Sequence, residues 1–234
     1  MIIKEVKIIG LGGIGSIFVN KLVRFINHCE SGGEALGWSV TLIDGDDYEI
    51  KNKQRQEFLF IKNKAVSKLE ELNNLVLESI ENAIPEFITE NNVAEAVREN
   101  DTIFLCVDNH KTRKIISEHA RSLNNVVIIS GGNDYTDGNV QCFIREHGKS
   151  LTPSLTDYHP EILDPSDKLP TEMSCEELAN SDPQLFFANL TAATIMCMYA
   201  YKLVTLPLSE VKFCESYFDI TSMAVNSVQR QPRC

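Results

Sequence analysis

The residues of this 234-residue chain that are equipped for chemistry lie mostly in its first half and follow a fixed order. A glycine loop, Gly10-Leu-Gly12-Gly13-Ile-Gly15, comes first, between the β-branched run MIIKEVKII and apolar residues spaced by three and four (Ile17, Leu22, Val23, Ile26). A strand that turns on glycine into a helix lets the backbone approach a phosphate. The phosphate would lie on the helix N-terminus, where unpaired N–H groups and the helix dipole favour negative charge. Asp44 ends the next β-branched run, where an acidic side chain can take a ribose hydroxyl. It stands further from the glycines than the usual ~20 residues, an excess that the Ser31-Gly32-Gly33 insertion accounts for. Asp46, Asn52, Arg55, Gln56 and Lys64 follow, and then Asp108, Asn109 and Arg113.

These residues need a scaffold, and the apolar pattern supplies one. Residues 1 to 9 read as a buried strand stopped by glycine, and Ser16 to about Cys29 as an amphipathic helix broken at Ser31-Gly-Gly33. Trp38 to Ile43 is a second strand, and residues 48 to 61, without a clean period, read as a long functional loop. Lys62 to about Val76 is predicted helical, 79 to 88 a weaker strand, and 92 to 98 a short helix. Thr102 to Val107 is a strand ending in Asp108, Lys111 to Leu123 a helix, and Val126 to Ser130 a strand closed by Gly131-Gly132. Strands alternating with helices imply parallel pairing and right-handed crossovers. After residue 139 the alternation stops. A strand at Val140 to Arg145, a mobile loop over 147 to 170, an apolar helix at Leu185 to Leu203 and two late strands complete the pattern. The division expected is a core over 1–146, a crossover loop over 147–181, and a helix with strands over 182–234 that complete the same domain.

In sequence order, G-x-G-G-x-G, Asp44-x-Asp46, Asn52-x-Gln54-Arg55-Gln56, Lys64-Ala65 and Asp108-Asn109-x-x-x-Arg113 resemble the motif set of the ThiF, MoeB and ubiquitin-activating-enzyme family. The resemblance implies an α/β fold: a Rossmann-like, mostly parallel sheet flanked by helices, with a C-terminal extension. It also implies ATP and Mg²⁺ as cofactors and adenylation of the C-terminal carboxylate of a small ubiquitin-like or sulfur-carrier protein. Both reactants of that step are anionic, so cations and positioning matter more than a base. Arg55 and Lys64 are then the phosphate-directed cations, with Lys68, one turn on, the runner-up for Lys64. Asn52 and Gln56 are uncharged donors to phosphate oxygens. Asp108 carries Mg²⁺ beside Asn109, Asp46 supports the ribose or the loop geometry, and Arg113 fixes Asp108 or its loop. Members that pass their substrate to a thioester place a cysteine after the core. That makes Cys175, in Pro170-Thr-Glu-Met-Ser-Cys175, the candidate nucleophile, although Glu172, Glu176 and Glu177 around it would raise its pKa. Homodimerisation is the family habit.

Composition narrows the partners. A hydrophobic share of 43% and a charged share of 24% suit a full globular core. The net charge of −11 repels phosphate backbones, so no nucleic acid is expected as the main partner. No run is long enough for a bilayer and the start is too short for a signal peptide, so a cytoplasmic protein without membrane contact is expected. The seven cysteines are scattered and contain no C-x-x-C pair, which predicts neither a disulfide framework nor zinc. Two rival activities share part of the pattern. An NAD-dependent oxidoreductase would explain the glycine loop and Asp44 but not Asn52, Arg55, Gln56, Lys64 and Asp108. Adenylation of a small-molecule or tRNA-borne carboxylate would use the same core, with the acidic charge opposing tRNA.

Overall fold

β-Branched runs become strands here, and amphipathic runs become the helices that cover them. A computed structural model describes residues 5–33, 36–73, 80–164, 166 and 185–233. The strands are β1 (Glu5–Ile9), β2 (Ser39–Ile43), β3 (Ile80–Ile84), β4 (Thr102–Leu105), β5 (Val126–Asn133), β6 (Asp137–Glu146), β7 (Lys149–Ser150), β8 (Glu215–Asp219) and β9 (Ala224–Val228). The helices are α1 (Gly13–Ser31), α2 (Lys64–Asn73), α3 (Val93–Ala96), α4 (His110–Ala120) and α5 (Phe186–Thr205).

The described strands form one sheet in the order β3-β2-β1-β4-β5-β6-β8-β9, with β7 paired to β6. From β3 to β5 every pairing is parallel; β5–β6, β6–β8 and β8–β9 are antiparallel. The chain moves outward from β1 to β2 and β3, then returns to place β4 on the other side of β1. That reversal is the topological switch point, and in open α/β sheets ligands bind outside the carboxyl ends of the strands there.

Alternation along each strand divides the core between two faces. Val6, Ile8, Val40, Leu42, Phe104, Val127 and Ile129 pack with α1, α2 and α5, while Ile9, Ile43, Ile103, Leu105, Val126 and Ile128 pack with α3 and α4. Each fully buried aliphatic side chain contributes roughly 1.5–3 kcal/mol. On the second face the Lys7 ammonium and Asp101 form a buried pair at 2.5 Å that ties β1 to the entry of β4. α1 ends where the Ser31-Gly-Gly33 break predicts, with the Gly32 N–H on the carbonyls of His28 and Cys29.

Three sequence readings change. β5 does not stop at Gly131-Gly132 but runs through them to Asn133, paired with Gly138–Val140 of β6. Glycine marks a close approach here: a Cβ on Gly131 would stand 2.6 Å from the Met196 sulfur of α5. α2 begins at Lys64 rather than Lys62, because Asn63 caps it, accepting the N–H groups of Ala65 and Val66. The start of the 147–170 loop is packed: Leu155 and Ile162 are buried, and Thr152 bridges Ile144 and Cys142 of β6. Most of the crossover from 165 to 181 lies outside the described residues, and Cys175 with it.

Candidate functional site

The glycine loop fits its place because two of its residues have no room for a side chain. Gly10 adopts a φ of 88°, and a Cβ there would press on the Cys106 carbonyl at 2.9 Å; one on Gly15 would overlap the Gly10 carbonyl oxygen. β1 and β4 therefore bring their ends together beneath the loop, and α1 starts at Gly13 with its first N–H groups facing the sheet's carboxyl edge. No acidic side chain occupies the first turn of α1.

Asp44 secures this loop from the end of β2. One of its oxygens accepts the Leu11 N–H at 2.5 Å and the other the Asp46 N–H at 2.9 Å. Burial raises its pKa, against the opposing pull of Lys64. Each carboxylate oxygen has a second lone pair, so the ribose role expected of Asp44 is compatible with these bonds. Tyr48, fully buried, adds a second tie by donating to the Leu11 carbonyl at 2.8 Å while its ring stacks on Phe58 at 4.2 Å.

Lys64 opens α2 directly beneath the acidic cluster. Its ammonium meets Asp46 at 2.5 Å, its backbone N–H donates to the Asp46 carbonyl at 2.8 Å, and it lies 5.9 Å over the Tyr48 ring. Burial would lower its pKa, but Asp44, Asp46 and Asp108 outweigh it and keep the pKa raised, so the group stays charged. Asn63, one residue earlier, holds the carbonyls of Asp44 and Asp46 with its amide nitrogen. Lys68 faces elsewhere. It is fully buried between α1 and α2, its ammonium bound to both oxygens of Glu71 at 3.1 Å and to Asn20 at 3.3 Å. The lysine beside the acidic cluster is Lys64.

The segment between Tyr48 and Lys64 folds over the loop as a 3-10 turn, Ile50–Gln54. Asn52 is buried inside it and accepts the Glu49 N–H at 2.9 Å in a capping box, so its oxygen holds the turn. Arg55 follows, half-buried, and its carbonyl receives Asn189 of α5 at 3.5 Å. Gln56 is buried with its amide nitrogen 3.9 Å from where a Cβ on Gly12 would stand. On the far side of β1, Asp108 is exposed beyond the end of β4, and Asn109 caps α4 by accepting the Thr112 N–H at 2.8 Å. Arg113 is buried and binds the carbonyls of Val107 and Gly131 and the Ser130 hydroxyl, fixing the Asp108 loop to β5.

Gly10, Gly12, Gly13, Gly15, Asp44, Asp46, Lys64 and Asp108 thus meet at the switch point, and Gln56 reaches Gly12 from the segment that also carries Asn52 and Arg55. The sequence reading missed Tyr48, Asn63 and Asn189. Asn63 had a signal, since Asn before the first periodic residue of a helix is a start mark. Asn189 had a fainter one, a lone amide in an apolar helix.

The donor set fits Mg²⁺ only in company. Among the described residues no three acidic, histidine or cysteine side chains are grouped to hold an ion unaided. Asp108 presents one exposed carboxylate, which matches an ion that arrives on phosphates and takes one or two protein carboxylates.

Fold and site together define a doubly wound α/β protein with a glycine-loop cradle at its switch point. Residues 4–234 match the family model of the ThiF family, and the chain belongs to that family. Solved structures of similar fold include PaaA (TM-score 0.67, 18% identity, covering 97% of this chain and 64% of PaaA). Others are Escherichia coli MccB with MccA-N7isoASN (TM-score 0.71, 18% identity, 98% of this chain and 65% of MccB) and the same protein with ATP (TM-score 0.70, 19% identity, 99% and 65%). The chain therefore spans just under two thirds of the length of these relatives. A search of curated protein sequences gives no match. No described helix is long and apolar enough to cross a membrane.

Proposed function

We propose that this protein uses ATP to adenylate the C-terminal carboxylate of a small protein or peptide. The carboxylate oxygen bonds to the α-phosphorus, the bond to the bridging oxygen breaks, and pyrophosphate leaves. The observation that carries the reading is Lys64, held charged within reach of Asp44, Asp46 and Asp108 at the mouth of the glycine loop. The α1 N-terminus receives phosphate, Asp44 the ribose, and Arg55 and Lys64 the charge that accumulates as pyrophosphate departs. Gln56 covers the loop, and Asp108 would hold Mg²⁺, which lowers the repulsion between the two anionic reactants when bound. Asn109 and Arg113 act one step back, by fixing the loop that carries Asp108.

MccB has been solved with ATP and with MccA, which supports ATP and a polypeptide-borne carboxylate as the substrates here. The partner we favour is a ubiquitin-like or sulfur-carrier protein, with a homodimer as the working form and Cys175 as the acceptor for covalent transfer.

Thermal stabilisation tests the site. Mg·ATP at a hundredfold excess over its dissociation constant should add about 2.7 kcal/mol to stability, and NAD nothing. Asp108→Ala and Arg55→Ala should both shrink the shift. Stabilisation by NAD alone would move the protein to the dehydrogenases and overturn the reading.

A further inference from the structure

α5 carries no charge before Lys202 and is apolar on most sides. A helix of that composition belongs where its whole circumference is covered. Its inner face is: Ala188, Ala192, Ile195, Met196, Tyr199 and Leu203 are buried in the core. Its outer face is open among the described residues. Phe187, Met198 and Tyr201 stand 61%, 55% and 57% exposed there, with Thr191, Thr194 and Thr205 on the same side. From Phe187 to Thr205 these residues fall at steps of four, three, four, three and four, the spacing of a seam that packs on another helix.

The threonines do not make that seam polar. Each hydroxyl donates to the carbonyl four residues earlier, at 2.8 Å for Thr191 and Thr194 and at 2.9 Å for Thr205. Their hydrogen bonds are made within the helix, and the methyl groups remain for contact. A continuous apolar stripe of this kind marks a docking surface.

α1 borders the stripe with positive charge. The Phe25 ring meets Tyr201 edge-on at 6.3 Å. One turn earlier on α1, Lys21 stands near Cys197: burial pushes that thiol up to about 11, with Lys21 the opposing charge. Lys21 and Arg24 are exposed and lie three residues apart, on one face of α1. The chain as a whole has a net charge of −11, yet α1 and α5 together hold Lys21, Arg24 and Lys202 against one acid, Glu30.

Those charges choose among occupants. A second copy seated face to face would bring only its own Glu30 to Lys21 and Arg24. An anionic bilayer would meet the chain's many acids along with the stripe. A single acidic helix meets only what borders the seam, because charges further off than about 8 Å are screened in physiological salt.

We infer that the outer face of α5, with Lys21 and Arg24 of α1, docks an amphipathic helix of another protein, apolar along one stripe and acidic beside it. Docking there involves no residue of the glycine-loop site.

The probe is a labelled synthetic helix of about 18 residues, the length of the stripe, with leucine at the seam positions and glutamate beside them. A second probe carries lysine in place of every glutamate. By fluorescence anisotropy the wild type should bind the acidic probe about tenfold more tightly than the basic one, the combined effect of a few surface ion pairs. Lys21→Glu with Arg24→Glu should reverse that order. Met198→Glu should weaken the acidic probe by about tenfold and leave the melting temperature unchanged. Equal binding of the two probes, or binding of neither, overturns the inference. So does a Met198→Glu variant that melts several degrees lower, which would make Met198 part of the protein's own packing. Sedimentation of the wild type as a dimer and of Met198→Glu as a monomer would give the face to a second copy. Flotation with phosphatidylserine vesicles, lost in Met198→Glu, would give it to a membrane. Either result ends the assignment to an acidic helix.

Discussion

Two charged clusters lie on one sheet and follow opposite plans. At the parallel end, Asp44, Asp46 and Asp108 share the single ammonium of Lys64, and Asp46 and Asp108 are exposed. At the antiparallel end, the buried Glu215 carboxylate collects Asn139 at 2.7 Å, His159 at 2.5 Å and Arg230 at 3.1 Å. Arg230 donates to Tyr217 as well and lies 4.5 Å over the Tyr158 ring. The second cluster closes on itself and holds the C-terminal strands to residues 158–161. The first leaves two of its carboxylates open to solvent. Networks satisfied by their own residues fix structure, whereas unfinished ones await a ligand.

The sharpest way to break this contrast is through the two lysines of α2, one from each kind of environment. Lys68→Met strands Glu71 in the α1–α2 interface and should cost about 3–5 kcal/mol of stability in urea titration. A loss under ~1 kcal/mol would return Lys68 as a rival to Lys64. Lys64→Met should lower ATP–pyrophosphate exchange by roughly 10²–10³-fold, about the cost of losing one transition-state donor, with a melting temperature close to that of the wild type. A large stability loss there would place Lys64 in the closed class. Gly131→Ala should cost about 1 kcal/mol, because the Met196 side chain can yield to the new methyl group. Combined with Met196→Ala it should fall short of the sum of the single effects, as expected for groups in contact.

Most of the parallel half was legible because its signals are local. A glycine that ends a β-branched run, an apolar spacing of three and four, and an aspartate closing a strand each act within a few residues. Gly131 was misread as a stop because nothing near it in sequence reveals Met196, which approaches from α5. The choice between Lys64 and Lys68 was open for the same reason: both start a helix pattern, and only α1, carrying Asn20, decides which one turns inward. Asn52 carries a second task that the motif does not display: its oxygen accepts the Glu49 N–H and so holds its own turn, which leaves the amide nitrogen for the donor role read from the motif. Asn189 depends on a contact with Arg55 that no local pattern announces. The Glu215 cluster was invisible, since His159, Glu215 and Arg230 come from three separate segments.

That closed cluster should reveal itself through pH. The pKa of His159 is raised, chiefly by its bond to Glu215 and further by Glu161, against the opposing effect of burial. Burial would lift the Glu215 pKa, but the bonds from His159 and Tyr217 hold it below the ordinary value. A raised histidine binds its proton more tightly when folded. Its contribution is therefore complete below the unfolded value near ~6.5 and disappears as pH rises through the folded one. A lowered glutamate behaves oppositely: its contribution is present above ~4.3 and disappears as pH falls through the folded value. The pair is thus strongest between those limits, with Glu161, Arg230 and Tyr217 as the other titratable groups in contact and His110 acting on Glu161. Urea midpoints measured from pH 5 to 9 should decline above about 6.5 in the wild type. His159→Gln, which keeps a hydrogen-bonding side chain but cannot titrate, should lower stability at pH 6 and remove that part of the slope. An identical slope in the variant would mean that His159 gains no proton affinity on folding, leaving Arg230, Asn139 and Tyr217 to hold Glu215.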